Sequence, residues 1–446
     1  MKTNKQLEIL ETAILNKSTI VGVMGLGYVG LPLVRAIVSK GYKCVGFDTD
    51  TKKIEMLRNN KTYIRGVSDT DILSLNESKL FVSSNDVMDL AKMDVILICV
   101  PTPLTKNREP DMKFVISAAE IISKQLRKNQ LVILESTTYP GTTSELLTPI
   151  LERSGLKVSK DFYLAYSPER EDPGNINYDT SSIPKIVGAD DLGSKKLAIL
   201  LYQQITLGVI GVSTLATAEA VKLTENIFRF VNIAFVNELK CIYDKMGIDI
   251  WEVIEAAKTK PFGYMPFYPG PGIGGHCIPV DPFYLTWKAR EFGMATQLVE
   301  LCGQINSHMP LYVIEKLRKE LDLRFEKGLS NTRILVIGIS YKKNVNDLRE
   351  SPSLLIMEEL VANKAKVDYY DPLVEGIGPD CEHPILIGMK SIILTNEILK
   401  SYHAVLISTD HDDIDYKMIL DNSTLIVDTR NALKNRNLEG NNVVKA

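Results

Sequence analysis

An apolar run over 19–24, Thr-Ile-Val-Gly-Val-Met, follows a polar N-terminus and opens a series of segments with two alternating periods. Positions 31–39 repeat their apolar residues every three to four places, as a helix does. Positions 43–47 form the short apolar block of a buried strand. The alternation continues with a helix over 52–59, a strand over 95–100, a helix over 115–127, a strand over 131–135 and a helix over 143–154. Strands separated by helices of this length predict βαβ units and a parallel sheet. Thr142 and Glu145 have capping-box spacing ahead of the last of these helices, and Gly155 stands where a helix-terminating glycine belongs. The stretch 8–16 has helical spacing of its own.

Beyond 214 the texture changes. Positions 216–246 form a nearly all-round apolar helix, and such a helix is buried against another domain or a second subunit. A Pro- and Gly-rich loop, 261–282, precedes a further helical pattern that runs to about 321. At 333–338 the opening theme returns as Arg-Ile-Leu-Val-Ile-Gly, a strand running into a turn. Ser351-Pro352 reads as a helix start with proline at the first helical position, and strands are predicted near 367–370, 404–408 and 425–427. The expected fold is α/β, with two Rossmann-like doubly wound parallel-sheet domains joined by a long central helix. Its expected parts are a helical extension (1–18), a first α/β domain (19–213), a central helical domain (214–325) and a second α/β domain (326–446).

Composition narrows the function without choosing it. The 446 residues are 45% hydrophobic and 24% charged, as in soluble multidomain proteins. A net charge of −3 offers no footprint for nucleic acid and no polybasic membrane patch. The N-terminus lacks an apolar signal core and no apolar run has spanning length, so a cytoplasmic protein is expected. Six cysteines without a CxxC pair read as free thiols, and five histidines without metal spacing speak against a metal site.

The chemistry gathers in a few motifs. Gly25-Leu26-Gly27-Tyr28-Val29-Gly30 follows a strand and opens a helix, as a pyrophosphate-binding turn does; a non-binding tight turn is the alternative. Asp48 ends the next strand, where a carboxylate accepts a ribose hydroxyl and repels a 2′-phosphate, which favours NAD over NADP; Lys53 close by would soften that choice. Thr102 and Thr137 follow later strands and either face a ligand or cap the next helix. In Tyr166-Ser167-Pro168-Glu169-Arg170, Glu169 is either a general base or a surface glutamate. Lys222 and Asn226, one turn apart on the apolar helix, either stabilise an oxyanion or mark a lysine snorkelling at its edge. The glycine-dense loop from Gly270 to Asp281 leaves Cys277 reachable as a nucleophile, with His276 and Asp281 as nearby proton groups. Cys44 and Cys99, embedded in strands, read as structural. Lys342, Lys343 and Arg349 follow a strand end and suit either phosphates or solvent.

In this order the motifs resemble the nucleotide-sugar 6-dehydrogenases, the family of UDP-glucose and GDP-mannose dehydrogenases, over nearly all of 20–432. The resemblance implies NAD in the first domain, held by Gly25, Gly27, Tyr28, Val29, Gly30, Asp48, Lys53, Thr102 and Thr137 and reached by Arg349. It implies a UDP-sugar in the C-terminal domain, a homodimer or higher homo-oligomer formed through the central helix, and oxidation of a C6 alcohol to a carboxylate with two NAD. Cys277 would attack the intermediate aldehyde and Lys222 and Asn226 would hold the oxyanions, while Asp281, Glu169 and Thr137 would place water and move protons. Substrate contacts are implied for Glu169, Arg170, Lys222, Asn226, Tyr268, Gly274 and Lys342. Val280, where UDP-glucose members often carry lysine, and Arg170 point to UDP-N-acetylhexosamines; 341–343 and 428–432 lean towards UDP-N-acetylglucosamine over UDP-N-acetylmannosamine. UDP-N-acetylmannosamine and UDP-glucose are the alternative substrates. The alternative proteins are a single-step 3-hydroxyacid-type dehydrogenase, which needs no cysteine, and a non-catalytic nucleotide-sugar-binding protein.

Overall fold

The computed structural model describes residues 5–64, 66–105, 107–170, 182–379 and 381–446; residues 1–4 of the N-terminal extension lie outside the described residues. Six strands, β1 (Ile20–Met24), β2 (Lys43–Phe47), β3 (Phe81–Ser84), β4 (Val95–Ile98), β5 (Leu131–Leu134) and β6 (Tyr163–Tyr166), form one parallel sheet in the order β3-β2-β1-β4-β5-β6. Every residue of β4, β5 and β6 is buried, which is why these strands read as unbroken apolar blocks. Strand order reverses between β1 and β4, and a crevice at the carboxyl ends of the strands is where such sheets bind ligands. The glycine turn leaves β1 there; Thr102 follows β4, Thr137 follows β5 and Glu169 follows β6. The apolar pattern does not reveal β3, which carries two serines, nor the short parallel pair β7 (Lys185–Val187) and β8 (Val209–Gly211).

The helix expected over 143–154 is instead three short pieces: a π-helical turn Thr142–Leu147, an α-helical turn Thr148–Leu151 and a 3-10 turn Glu152–Ser154. The capping box does not form. Thr142 donates its hydroxyl to the Tyr139 carbonyl, and Glu145 pairs with Lys288 at 2.6 Å. The amides of Gly141 and Thr143 and the Thr143 hydroxyl all donate to buried Glu219. A buried carboxylate that satisfies three donors outcompetes a local cap worth about 1 kcal/mol, and Pro149, without an N–H, prevents a regular helix across the junction. Gly155 does end the segment in the left-handed region, at φ +83°.

A second parallel sheet has the order β10-β9-β11-β12-β13, from β9 (Arg333–Ile337), β10 (Lys366–Tyr370), β11 (Ala404–Ile407), β12 (Ile426–Asp428) and β13 (Val443–Lys445). Counted from its own first strand this is 2-1-3-4-5, the shorter of the common doubly wound orders. The duplication extends to hydrogen bonds. Gly25 donates its amide to Phe47 O as Gly338 does to Tyr370 O, at 2.8 and 2.9 Å. Leu26 donates to Asp48 Oδ2 at 3.0 Å as Ile339 does to Asp371 Oδ2 at 2.8 Å. Asp371 is the counterpart of Asp48, but it is sealed inside and also bound by the His411 ring. Ser351 caps the helix Pro352–Ala362 as its sequence predicts.

The chain divides into two compact units, 1–225 with 283–295 and 226–282 with 296–446. The long helix, Leu215–Met246, spans 32 residues and is not apolar all round: Glu219, Lys222, Asn226, Asn237 and Lys240 are buried along it, whereas Phe228, Phe235 and Ile242 are exposed. No helix among the described residues is long and apolar enough to cross a membrane.

Candidate active site

The three motif glycines do different work. Gly25 has φ +93°, and a Cβ there would stand 2.6 Å from the Cys99 carbonyl oxygen; a Cβ on Gly30 would fall 1.9 Å from the carbonyl of Gly25. These two are dictated by the turn itself. A Cβ on Gly27 would meet nothing within 4 Å, so this position faces the space where a dinucleotide backbone approaches. Val29 gives the helix Gly30–Ser39 no side-chain cap, which leaves its first amides to an anion. Tyr28 is partly exposed beside them. Asp48 is pre-set: one oxygen accepts from the Leu26 amide and stands 3.4 Å from Lys53, and the other accepts from the Asp50 amide at 2.9 Å. The cradle fits NAD. Asp48→Ala should raise the ratio of NADP to NAD efficiency by at least about tenfold, which needs only ~1.4 kcal/mol of like-charge repulsion. Steady-state kinetics with both cofactors checks this, and equal use of NADP by the unmutated protein would overturn it.

Neither threonine caps a helix. The helix after Thr102 starts at Lys113 with Met112 at its cap, and the segment after Thr137 starts behind Gly141. Thr102 is buried, and its carbonyl accepts the Tyr284 hydroxyl. Glu169 is not a surface residue. It is buried, with one oxygen 3.0 Å from the Lys185 ammonium and the other accepting the Arg170 amide at 2.7 Å. The Arg170 guanidinium holds Glu225 at 2.6 Å and the Pro184 carbonyl at 2.7 Å. Lys222 is only 7% exposed and has no hydrogen-bond or ion-pair partner among the described residues. The sequence reading missed Lys185 and Glu135; the signal was a charged residue abutting an apolar strand, Ile186-Val187 for one and Leu131–Leu134 for the other.

In the second unit the Asn226 amide donates to the Asp281 carboxylate at 2.5 Å, and both residues are buried. Asp281 opens the helix Asp281–Glu291 instead of ending a loop, and its backbone amide donates to the Cys277 carbonyl at 2.8 Å. Cys277 is a solvent-exposed thiol, whereas Cys44 and Cys99 are buried. The loop lies flat on residues 341–352: Gly275, at φ +90°, donates its amide to Arg349 O, and a Cβ on Gly274 would stand 2.6 Å from Glu350 O. Burial, with Arg349 adding to it, pushes the His276 imidazole down to about 4. This favours the neutral imidazole near pH 7, which can accept a proton but holds no acidic one to give. Tyr268 is exposed with its hydroxyl on Glu255 at 2.7 Å. Lys342 is half-buried, Lys343 pairs with Asp412 at 2.6 Å, and Arg349 is exposed and folds onto Asp347.

Comparison with known proteins places these features in a family. Residues 19–206 match the NAD binding domain of the UDP-glucose/GDP-mannose dehydrogenase family, 216–308 its central domain and 335–435 its UDP binding domain. The chain is 39% identical to the UDP-N-acetyl-D-glucosamine 6-dehydrogenase of Pseudomonas aeruginosa, over 79% of this chain and 83% of that one. It is 32% identical to a UDP-N-acetyl-D-mannosamine dehydrogenase of Methanococcus aeolicus, over 93% and 92%. The structure of the UDP-D-ManNAc dehydrogenase of Pyrococcus horikoshii superposes with a TM-score of 0.86 at 31% identity, covering 96% of this chain and 98% of that one. With the glycine turn, Asp48 and the cysteine loop in their places, the chain belongs to the UDP-glucose/GDP-mannose dehydrogenase family and is an NAD-dependent nucleotide-sugar dehydrogenase.

Proposed function

We propose that this protein oxidises the C6 hydroxyl of a UDP-N-acetylhexosamine, UDP-N-acetylglucosamine foremost, to the uronic acid in two successive steps. The observation that carries the reading is the exposed Cys277 thiol, with Asp281 anchored both to its carbonyl and to Asn226. NAD supplies a hydride acceptor for each step. In the first oxidation the C6 hydroxyl gives its proton to a water placed by Glu169 and Asp281, and Lys222 stabilises the oxygen as it becomes anionic. The Cys277 sulfur then adds to the aldehyde carbon, forming a C–S bond and a thiohemiacetal whose oxyanion Lys222 and Asn226 hold. Loss of the second hydride leaves a thioester. Glu169, with Thr137 and Asp281 orienting water, takes a proton from the water that attacks the carbonyl, and the C–S bond breaks with the thiolate departing. Lys342 contacts the UDP-sugar, with Gly274 and Tyr268 beside the sugar end.

The higher identity to the glucosamine enzyme of Pseudomonas than to the mannosamine enzyme of Methanococcus supports the choice of sugar. A panel of UDP-sugars assayed with NAD tests it: UDP-N-acetylglucosamine should be turned over fastest, UDP-N-acetylmannosamine next and UDP-glucose poorly. UDP-glucose as the fastest substrate would overturn the assignment. The exposed stripe Phe228, Phe235 and Ile242, spaced by seven residues, supports a homodimer through the long helix. Light scattering that finds only monomer at micromolar concentration would refute that.

A further inference from the structure

A second charged cluster lies in the first unit. Glu135 at the end of β5, Lys185 at the start of β7 and Tyr202 of the helix Leu192–Ile205 are all buried, Lys185 at 2% exposure. The Lys185 ammonium stands 2.5 Å from Glu135 Oε2 and 3.0 Å from Glu169 Oε2. Tyr202 donates to the other Glu135 oxygen, so both oxygens of that carboxylate are held. Two carboxylates therefore share one ammonium in a buried site. Burial raises the Glu135 carboxyl above the ordinary carboxylate range, with Glu169 adding to the rise and Lys185 opposing it. Burial alone would lower the Lys185 ammonium, but the two carboxylates outweigh it and raise it. Lys185 is thus a fixed cation, and Glu135 is the member predisposed to take up a proton. Among the described residues the cluster is also faced by Cys99, whose thiol burial raises well above its usual range, by the Pro168 carbonyl 3.4 Å from Lys185, by Ser167 beside Tyr202 and by the Arg170 amide on Glu169; the Arg170 guanidinium is occupied by Glu225.

We propose that Lys185, anchored by Glu135 and Tyr202, is the positioning residue that orients the Glu169 carboxylate for water activation, and that Glu135 competes with Glu169 for its charge. This rests on Glu169 being the base of the hydrolytic step. One Glu169 oxygen is pinned on Lys185 and the other on the Arg170 amide, so the plane of the carboxylate is fixed. Two opposite shifts follow. Lys185→Met removes the ammonium that the two carboxylates share, so Glu169 ionises at higher pH and the acid limb of thioester hydrolysis moves up. Glu135→Gln removes the competing charge and leaves Lys185 to Glu169 alone, so the same limb moves down.

The experiment follows acyl-enzyme formation and breakdown in the full chain with NAD and the best substrate of the panel, by intact-protein mass spectrometry across pH, for Lys185→Met, Glu135→Gln and Glu169→Gln. Glu169→Gln should accumulate acyl-enzyme. Lys185→Met should slow breakdown by roughly a hundredfold, in line with the loss of an effective general base, and should shift the limb opposite to Glu135→Gln. A merely structural role would depress both variants without moving the limb in opposite senses. If Lys185→Met does not fold, Glu135→Gln, which keeps the shape and an acceptor oxygen, carries the test through its downward shift. Accumulation in Glu169→Gln with unmoved limbs in the other two overturns this inference and leaves the base assignment standing. No accumulation in Glu169→Gln removes the base assignment, and the role of Lys185 with it.

Discussion

Cys277→Ala should lose carboxylate formation by roughly 10⁴-fold or more, the scale expected when a covalent nucleophile is removed. The first oxidation should survive much better. Only the aldehyde stage needs sulfur, because an aldehyde has no C–H beside an oxyanion until a nucleophile adds to it. Cys277 is exposed on a loop whose glycines serve backbone packing, so a smaller side chain there leaves no buried cavity. A loss of activity is then chemical and not a failure to fold. Single-turnover stoichiometry reads the effect: two NADH per sugar acid for the unmutated enzyme, and at most one NADH per sugar for the variant. Cys277→Ser should form an ester that hydrolyses slowly, since an alkoxide leaves less readily than a thiolate, and the trapped adduct should be visible in the protein mass. Near-normal release of two NADH by Cys277→Ala would end the covalent mechanism.

Lys222→Met should slow both oxidations by about 10²–10³-fold, the range for removing one charged or hydrogen-bonding stabiliser of an oxyanion. The same variant should melt near the temperature of the unmutated protein. The Lys222 side chain is mostly buried and makes no hydrogen bond or ion pair with the described residues, so methionine fills its volume without orphaning a partner. The pairing of the two outcomes is the test. Lower activity with an unchanged melting temperature marks a charge kept for chemistry. Lower activity with lower stability would mean that Lys222 has a structural partner. An unchanged rate would remove it from the mechanism. Lys185→Met provides the contrast: it strips a cation from two buried carboxylates and should lower the melting temperature.

The amino-acid sequence by itself determined the elements and the reactive groups. Strands buried on both faces must be contiguous apolar blocks, so β1, β2, β4, β5 and β9 stand out with their ends nearly correct, and the glycine turn and the cysteine loop are marked by residue types that no other backbone conformation requires. Helices bounded by local chemistry, such as Pro352–Ala362 behind Ser351, were equally legible. Only the tertiary structure decided which buried charges meet. Glu169 finds Lys185 across 16 residues of chain, Asn226 finds Asp281 across 55, and Glu219 reaches 76 residues back to Thr143 and displaces the expected capping box there. The same holds for Asp371, a faithful copy of Asp48 that His411 closes off, and for His276, which burial keeps neutral. The physical reason is that apolar burial imprints a period on the sequence, whereas a buried polar group is satisfied by whatever partner the fold brings within about 3 Å, and that partner leaves no periodic trace.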